Sequence, residues 1–199
     1  MDAIWSFLIT AFVLTGSPGP NTLSVSAVGA AFGRKQGLGY MAGLNLGVGL
    51  VILIVGSGIS GAMLALPGVK PVITGLAIAY FLYLAFRIAT APPLSHQSRQ
   101  YATSAPRWFE GVFLSLANPK AYAAMAALFS GHVLVENHAL LDGIWKAALA
   151  MGVIIIVNFC WLLTGTAMAR FLQDPRISRL INITFATLLL LSVAIVALT

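Results

Sequence analysis

Two segments of this 199-residue sequence place helix-breaking residues and polar side chains inside long apolar runs. They are Ser17-Pro18-Gly19-Pro20-Asn21 and Asn118-Pro119-Lys120. Each proline removes a backbone donor and clashes with the preceding helical turn, so we expect both helices to be broken. Carbonyl groups freed in an apolar environment need a partner from protein, water or ligand. The two segments are therefore predicted to border one binding site; the alternative is that the prolines only kink two helices for packing.

Lys120 is the residue in these segments with the greatest capacity for chemistry. It lies about eleven residues after Trp108, where the fourth apolar run begins, and thus roughly 16 Å along a helix, near the centre of a bilayer core. A charge at that depth is costly and is functional by default. The ammonium group is expected to bind a substrate carboxylate or to release a proton in a coupling cycle, unless the side chain snorkels to the cytoplasmic interface. Glu110, near the start of the same run, is the nearest carboxylate for proton coupling.

Two further asparagines, Asn45 and Asn158, lie inside other apolar runs. Each either completes the binding site or hydrogen-bonds a neighbouring helix, and the sequence leaves both alternatives open. Three glycines at four-residue spacing, Gly39, Gly43 and Gly47, form one face of a helix. Small residues at this spacing allow close helix contact, either within the protein or between two copies in a homodimer.

The elements that must position these residues are membrane helices. Of all residues, 59% are hydrophobic and 8% are charged, whereas about 25% are charged in a typical soluble domain. Six charge-poor runs approach or exceed the roughly 20 apolar residues that a membrane helix needs. The predicted spans are 5–31, 38–66, 69–90, 108–133, 144–168 and 180–198.

The basic residues predict the orientation of these spans, because cytoplasmic loops of membrane proteins are enriched in Lys and Arg. With both termini outside the cytoplasm, the outer loops hold only the basic residues Lys70 and Lys146. The cytoplasmic loops then hold Arg34, Lys35, Arg87, Arg99, Arg107, Arg170, Arg176 and Arg179. Lys120 is left as the only ionisable residue well inside a span. We predict a multi-pass protein of the plasma membrane, which in a bacterium is the inner membrane.

One cytoplasmic loop divides a single transmembrane domain into two halves of three spans each. The halves and the loop between them are 1–90, 108–199 and 91–107. Three spans in each half give the halves opposite orientations, which is an inverted repeat of the kind common in transporters. Phe12 precedes Pro18 by six residues, as Phe113 precedes Pro119. The predicted fold is all-α, with six transmembrane helices in two inverted three-helix repeats whose first helices are broken.

Other classes of function agree less well with the sequence. The net charge of +6 comes from scattered basic residues without a clustered patch, so we expect no nucleic-acid partner. A single cysteine, Cys160, cannot form a dithiol, and His96, His132 and His138 share no spacing typical of a metal or catalytic site. No phosphate-binding loop is present in the sequence. We therefore predict no catalytic residues, metal or cofactor, and we expect membrane lipids and a small-molecule substrate as partners.

The motifs, in their order and spacing, resemble those of the lysine exporter (LysE/RhtB) family of amino-acid efflux proteins. The segments that carry the resemblance are 17–22, 33–38, 79–87 and 113–122. From Ile144 onward the sequence is generic. The resemblance implies export of amino acids or related small metabolites from the cytoplasm, driven by the proton gradient. It also implies that residues 18–21 and 118–120 border the transport pathway.

The expected mechanism is alternating access, in which one half moves against the other around the broken helices. Half-helix N-termini and Lys120 would receive the substrate carboxylate, because the N-terminal end of a helix is positive. Asn21 and Asn118 would hold the substrate ammonium or exposed backbone. No acidic side chain lies deep in a predicted span, which favours neutral amino acids and leaves proton coupling without a buried carboxylate. A passive channel and a membrane scaffold or assembly subunit are the alternatives.

Overall fold

The computed structural model describes residues 2–58 and 105–168 continuously, together with isolated positions between 75 and 90 and between 174 and 190. All regular structure in these residues is α-helical. The helices with continuous description are α1 (Asp2–Gly16), α2 (Pro20–Gly56), α3 (Trp108–Leu116), α4 (Pro119–Gly131) and α5 (Ala139–Met168). Most of the predicted third and sixth spans, and most of the loop between the halves, lie outside the described residues.

Among the described helices, α2 and α5 are long and apolar enough to cross a membrane. A third crossing results if α3 and α4, which are bent by 63° relative to each other, are counted as one span. The helix α1 is apolar but has only 15 residues. The all-helical fold is thus confirmed for the described part of the chain, which contains two or three candidate membrane spans, whereas the count of six helices and their inverted repeat remain predictions.

The helix α2 is interrupted at Gly33. This residue has φ 78° and ψ 174°, a conformation that glycine adopts without the steric cost of a side chain. Gly29 and Gly37 both pack against Leu162 of α5, although a straight helix would separate them by about 12 Å. The chain therefore turns back at Gly33, between the first two predicted spans. The helix consists of two segments, α2a before Gly33 and α2b after it.

Two apolar clusters pack the described helices on opposite sides of the helix breaks. One cluster joins α1, α2b, α4 and α5 and includes Phe7, Val51 and Leu128. The other joins α2a, α2b, α3 and α5 and includes Val25 and Leu162. The helices α1 and α2a belong to different clusters, as do α3 and α4. Each break therefore lies at the level where the two clusters meet.

Two of the three glycines in the predicted contact face meet α3 within the same chain. Gly43 packs against the backbone of Trp108, and a Cβ at Gly47 would lie 2.6 Å from the Cβ of Ser115. Gly39 has open space where a Cβ would stand. The close contact at Gly43 and Gly47 is therefore within the protein. A homodimer remains a prediction, and Gly39 is the only glycine of this face left open for it among the described residues.

The placement of Lys146 in an outer loop is wrong. The helix α5 begins at residue 139 rather than 144, and Lys146 is buried within it, with 4% of its surface exposed. Its Nζ lies 2.6 Å from Asp142 Oδ2 and donates to the carbonyl oxygen of Phe129 at 3.0 Å. Asp142 also accepts two backbone N–H groups from the connection between α4 and α5. Because this pairing offsets the cost of burial, a second lysine is accommodated inside a described helix.

We expect Gly47→Ala to lower the stability of the protein by about 1–3 kcal/mol, the usual cost of overpacking a close contact. The added methyl group would push α2b away from α3. Gly39→Ala is the matched control, because it makes the same change on the same helix in open space and should leave stability unchanged or slightly raised. The measurement is the unfolding temperature of the purified protein in detergent. Equal unfolding temperatures for the two variants would contradict the packing described above.

Candidate functional site

The two predicted helix breaks are present. The helix α1 ends at Gly16 and α2 begins at Pro20, while α3 ends at Leu116 and α4 begins at Pro119. Pro20 and Pro119 each occupy the first helical position, directly after the N-cap residue. A proline is well suited to this position because its missing N–H has no partner in the helix. Both half-helices therefore start for the same local reason.

Pro18 and Pro119 each follow a phenylalanine by six residues in the sequence, but they do not occupy equivalent positions in the structure. Pro18 lies in the bend between α1 and α2, whereas Pro119 is the first residue of α4 and therefore corresponds to Pro20. The offset arises because three residues separate α1 from α2 and two separate α3 from α4. With the corrected pairing, Asn21 and Lys120 occupy matching second positions of their helices.

A series of hydrogen bonds joins the two breaks. Asn118 Nδ2 donates to Asn21 Oδ1 at 2.9 Å, and Asn21 Nδ2 donates to Ser115 Oγ at 2.9 Å. The Ser115 hydroxyl donates in turn to the carbonyl oxygen of Leu44 in α2b at 2.9 Å. Asn118 Oδ1 accepts the backbone N–H of Lys120 at 3.1 Å. Ser115 and Asn118 are buried, so their polar atoms depend on these partners instead of water.

Ser115 is a member of this network that the sequence prediction missed. A signal for it exists: it precedes Asn118 by three residues, and residues three apart on a helix face the same side. A single serine in an apolar run has many partners available to it, however, including the backbone of its own helix. The three-residue spacing between Ser115 and Asn118 indicates a role for Ser115 only once Asn118 is known to face Asn21.

The ammonium group of Lys120 binds backbone carbonyls of the first break. Its Nζ donates to the carbonyl oxygen of Ser17 at 2.5 Å and to that of Pro18 at 3.2 Å. These carbonyls follow the C-terminal end of α1, which carries partial negative charge. A Cβ at Gly19 would lie 2.8 Å from Cδ of Lys120, so glycine leaves room for the lysine side chain. Lys120 is thus held at the first break by two backbone carbonyls.

The other backbone groups at the first break also have partners. Trp161 of α5 donates its indole N–H to the carbonyl oxygen of Gly16 at 3.2 Å. The N–H and the hydroxyl of Ser17 bond two carbonyls in the last turn of α1. On the other side of the break, the N–H of Gly19 donates to Thr22 Oγ1 at 2.9 Å. The sequence prediction missed Trp161, because its partner is a backbone atom of a distant segment.

A small cavity of about 40 Å³ lies beside the two breaks. Its polar lining consists of Thr15, Asn21, Thr22, Asn118, Lys120 and Asn158. The rest of the lining is Gly19 and apolar side chains, among them Val48, Ala124, Met125 and Ile154. This volume holds a few water molecules but no amino acid. The described lining carries one cation and no acidic side chain, so it is electrostatically suited to a carboxylate.

Of the remaining predicted site residues, Asn158 belongs to the cavity lining, whereas Pro18, Pro20, Pro119, Asn45 and Glu110 do not. Asn158 lines the cavity and donates to Asn45 Oδ1 at 2.7 Å, whereas Asn45 itself is not in the lining. Glu110 is exposed and accepts the backbone N–H of Arg107 at 3.3 Å, at the start of α3. Within the described residues, no three His, Cys, Asp or Glu side chains are close enough to hold a metal ion.

Interrupted apolar helices that meet at a polar cavity are a construction typical of secondary transporters. The chain belongs to the LysE type translocator family, whose sequence profile matches residues 12–199. It is 28% identical to the cysteine/O-acetylserine efflux protein of Salmonella typhimurium over 191 residues, which cover 95% of this chain and 93% of that protein. It is 27% identical to an uncharacterized membrane protein of Vibrio cholerae in an alignment 199 residues long that covers 93% of this chain and 92% of that one. No solved structure matches the chain.

The resemblance to this family is therefore confirmed, and it is more extensive than the motifs alone indicate. The profile also covers the segment after Ile144, which lies beyond the motifs that carry the resemblance. That segment supplies Trp161 and Asn158 to the neighbourhood of the breaks. Membership of a translocator family and the efflux proteins among its relatives favour a membrane transporter over a membrane enzyme.

We predict that Asn118→Ala lowers stability by about 1–3 kcal/mol, because it leaves buried polar groups of Asn21 and Lys120 without a partner. Asn21→Ala should cost a similar amount. The double variant should lose less than the sum, because both single variants break the same bond. Ser130→Ala is the control, since that exposed hydroxyl bonds only a carbonyl of its own helix. Unfolding of the purified variants in detergent measures these losses, and strictly additive values would contradict a direct Asn21–Asn118 contact.

Proposed function

We propose that this chain exports amino acids or similar small zwitterions from the cytoplasm by alternating access, driven by the proton gradient. The observation that carries the proposal is the convergence of Lys120, Asn21 and Asn118 on one cavity between two helix breaks. The proteins of Salmonella and Escherichia coli to which the chain is similar are named for efflux of cysteine and O-acetylserine. Both are small amino acids without a charged side chain.

The architecture we propose is six transmembrane helices in two inverted repeats, with both termini outside the cytoplasm and the protein in the plasma (bacterial inner) membrane. The first span would consist of α1 with α2a, and the fourth of α3 with α4. In support, each of these pairs is broken once, and each second half begins with proline followed by a polar residue that reaches the other break. Matching breaks of opposite orientation are what an inverted repeat produces.

The lining of the cavity supports a neutral amino acid as substrate. Lys120 offers a cation for the carboxylate, and the helix N-termini at Pro20 and Pro119 add partial positive charge. A positively charged side chain would find no counter-charge in the described lining, which contains no Asp or Glu. The apolar wall that includes Val48 and Met125 suits a small side chain without charge. Because the cavity is too small for any amino acid, the substrate must bind to a wider conformation of the transport cycle.

Lys120, rather than Glu110, is the group we propose for proton coupling. It is the ionisable side chain that the described structure brings to the cavity. Glu110 stabilises the start of α3, about two helical turns before Asn118, and lies in none of the contacts that join the breaks. Exchange of a proton at Lys120 would change the charge of the cavity, which is the kind of local change that biases a two-state transporter.

Inverted membrane vesicles that contain the protein test the function directly. Export from cells corresponds to uptake into such vesicles, so labelled cysteine or O-acetylserine should accumulate when a proton gradient is imposed. A protonophore should abolish the accumulation. Equilibration that does not respond to the protonophore would indicate a passive channel instead. Failure to transport any amino acid in a broad panel would favour the scaffold or assembly role.

We expect Lys120→Met to reduce proton-driven uptake at least about tenfold, because a lost interaction with a charged group is typically worth 1.5–3 kcal/mol. Lys35→Met is the matched control, since it removes the same charge from an exposed position at the turn after α2a. Lys35→Met should retain most of the uptake. Normal uptake by Lys120→Met, at equal amounts of protein in the vesicles, would exclude Lys120 from the transport mechanism.

A further inference from the structure

We propose that the carbonyl oxygens of Ser17 and Pro18 form the binding site for the ammonium group of the substrate, and that Lys120 is a tethered ammonium that occupies this site until the substrate displaces it. The inference rests on the proposed function, because it assumes that the cavity receives an amino acid. It identifies the atoms that bind the substrate amino group. The described cavity lining has no acidic side chain that could do this.

The carbonyl groups at the first break differ in the donors that bond them, and this difference distinguishes those of Ser17 and Pro18. The neighbouring carbonyl of Gly16 is bonded by Trp161, which lies about two turns before the end of α5. The carbonyls of Ser17 and Pro18 are bonded instead by the end of the Lys120 side chain, which lies in the wall of the cavity. The Thr22 hydroxyl makes a longer bond of 3.5 Å to the Ser17 carbonyl, and no other side chain among the described residues is bonded to the Pro18 carbonyl. Ser17 and Pro18 are not themselves part of the cavity lining, so a ligand in the cavity reaches their carbonyls only where the flexible Lys120 side chain withdraws from them.

The chemistry of an exchange between two ammonium groups is balanced. A substrate ammonium and the Lys120 ammonium carry the same charge and the same N–H donors, so the carbonyl pair loses no hydrogen bond when one replaces the other. The end of α1 keeps a cation next to its negative pole throughout. Gly19 leaves the space in which the lysine side chain now lies, so the side chain has room close to the break.

The displaced Lys120 then has a partner on the same ligand. Its ammonium leaves neutral carbonyls and pairs with the substrate carboxylate, which is a stronger bond because both partners are then charged. Asn21 and Asn118 are not needed for the amino group, because their amides are engaged with each other, with Ser115 and with the backbone N–H of Lys120. The exchange thus explains how a cavity without acidic side chains recognises both ends of a zwitterion.

Selectivity for zwitterions follows from this exchange. A carboxylic acid without an amino group cannot occupy the carbonyl pair, so Lys120 remains there. A simple amine can occupy the pair but leaves the displaced lysine without a carboxylate. Removing the lysine side chain should therefore create a site for simple alkylammonium ions that the native protein does not offer.

The test is the binding of n-butylammonium to the purified full-length protein in detergent, followed as a shift of the unfolding temperature. We expect Lys120→Ala to be stabilised by about 2–4 °C at an amine concentration of about five times the Kd. The native protein and Lys35→Ala should shift at least threefold less. Tetramethylammonium, which has the charge but no N–H donor, should not stabilise Lys120→Ala. Equal shifts with the two ions, or no shift with either, would overturn the proposal.

A second measurement covers the case in which Lys120→Ala does not fold. Lys120→Met keeps the bulk of the side chain, and n-butylammonium should bind to it at least tenfold more tightly than to the native protein in isothermal titration. Equal affinity would refute the ammonium site. Because neither binding measurement depends on transport, amine binding by the variants supports the site even if the native protein transports no amino acid. That combination would overturn the proposed export function alone.

Discussion

Backbone carbonyl groups that lose their helical partners inside an apolar environment must find other donors, and this requirement organises the described structure. The break between α1 and α2 frees carbonyls from Gly16 to Pro18. They are bonded by Trp161 from α5 and Lys120 from α4. In the described part of the chain, no buried side-chain nitrogen or oxygen is left without a partner. The first break is therefore tolerated because two other helices each contribute a donor to it.

The same contacts make the cavity and the packing of the helices interdependent. Under the proposed function, an amino acid needs more than the present volume of about 40 Å³, so its binding would require the contacts around the cavity to rearrange. The buried Asn21–Asn118 bond is costly to break, because both amides would lose partners away from water. Lys120 is only partly buried and its bonds end on a flexible side chain. Rearrangement of the site therefore begins most easily at Lys120.

Much of this arrangement could be predicted from residue types, and the limits of prediction have physical causes. Proline and glycine act on the local backbone, so both breaks and the turn near Gly33 were predictable from the chain alone. The partners of the freed carbonyls were not, because they depend on which helix packs against the break. Lys146 was placed wrongly for a related reason: the cost of burying it is offset by Asp142 one turn earlier, which a count of charges in loops does not consider.

Lys146 and Lys120 differ in the charge of the groups that bind them. Lys146 and Lys120 both donate to carbonyl oxygens near the C-terminal end of a helix, at Phe129 in α4 and after α1. Lys146 is also paired with the carboxylate of Asp142, so its charge is neutralised within the protein. Among the described residues, Lys120 has only neutral carbonyls as partners, so none of these residues compensates its positive charge beside the cavity. An ammonium in that position can exchange neutral partners for an anionic ligand, which an ammonium already bound to a carboxylate has little reason to do.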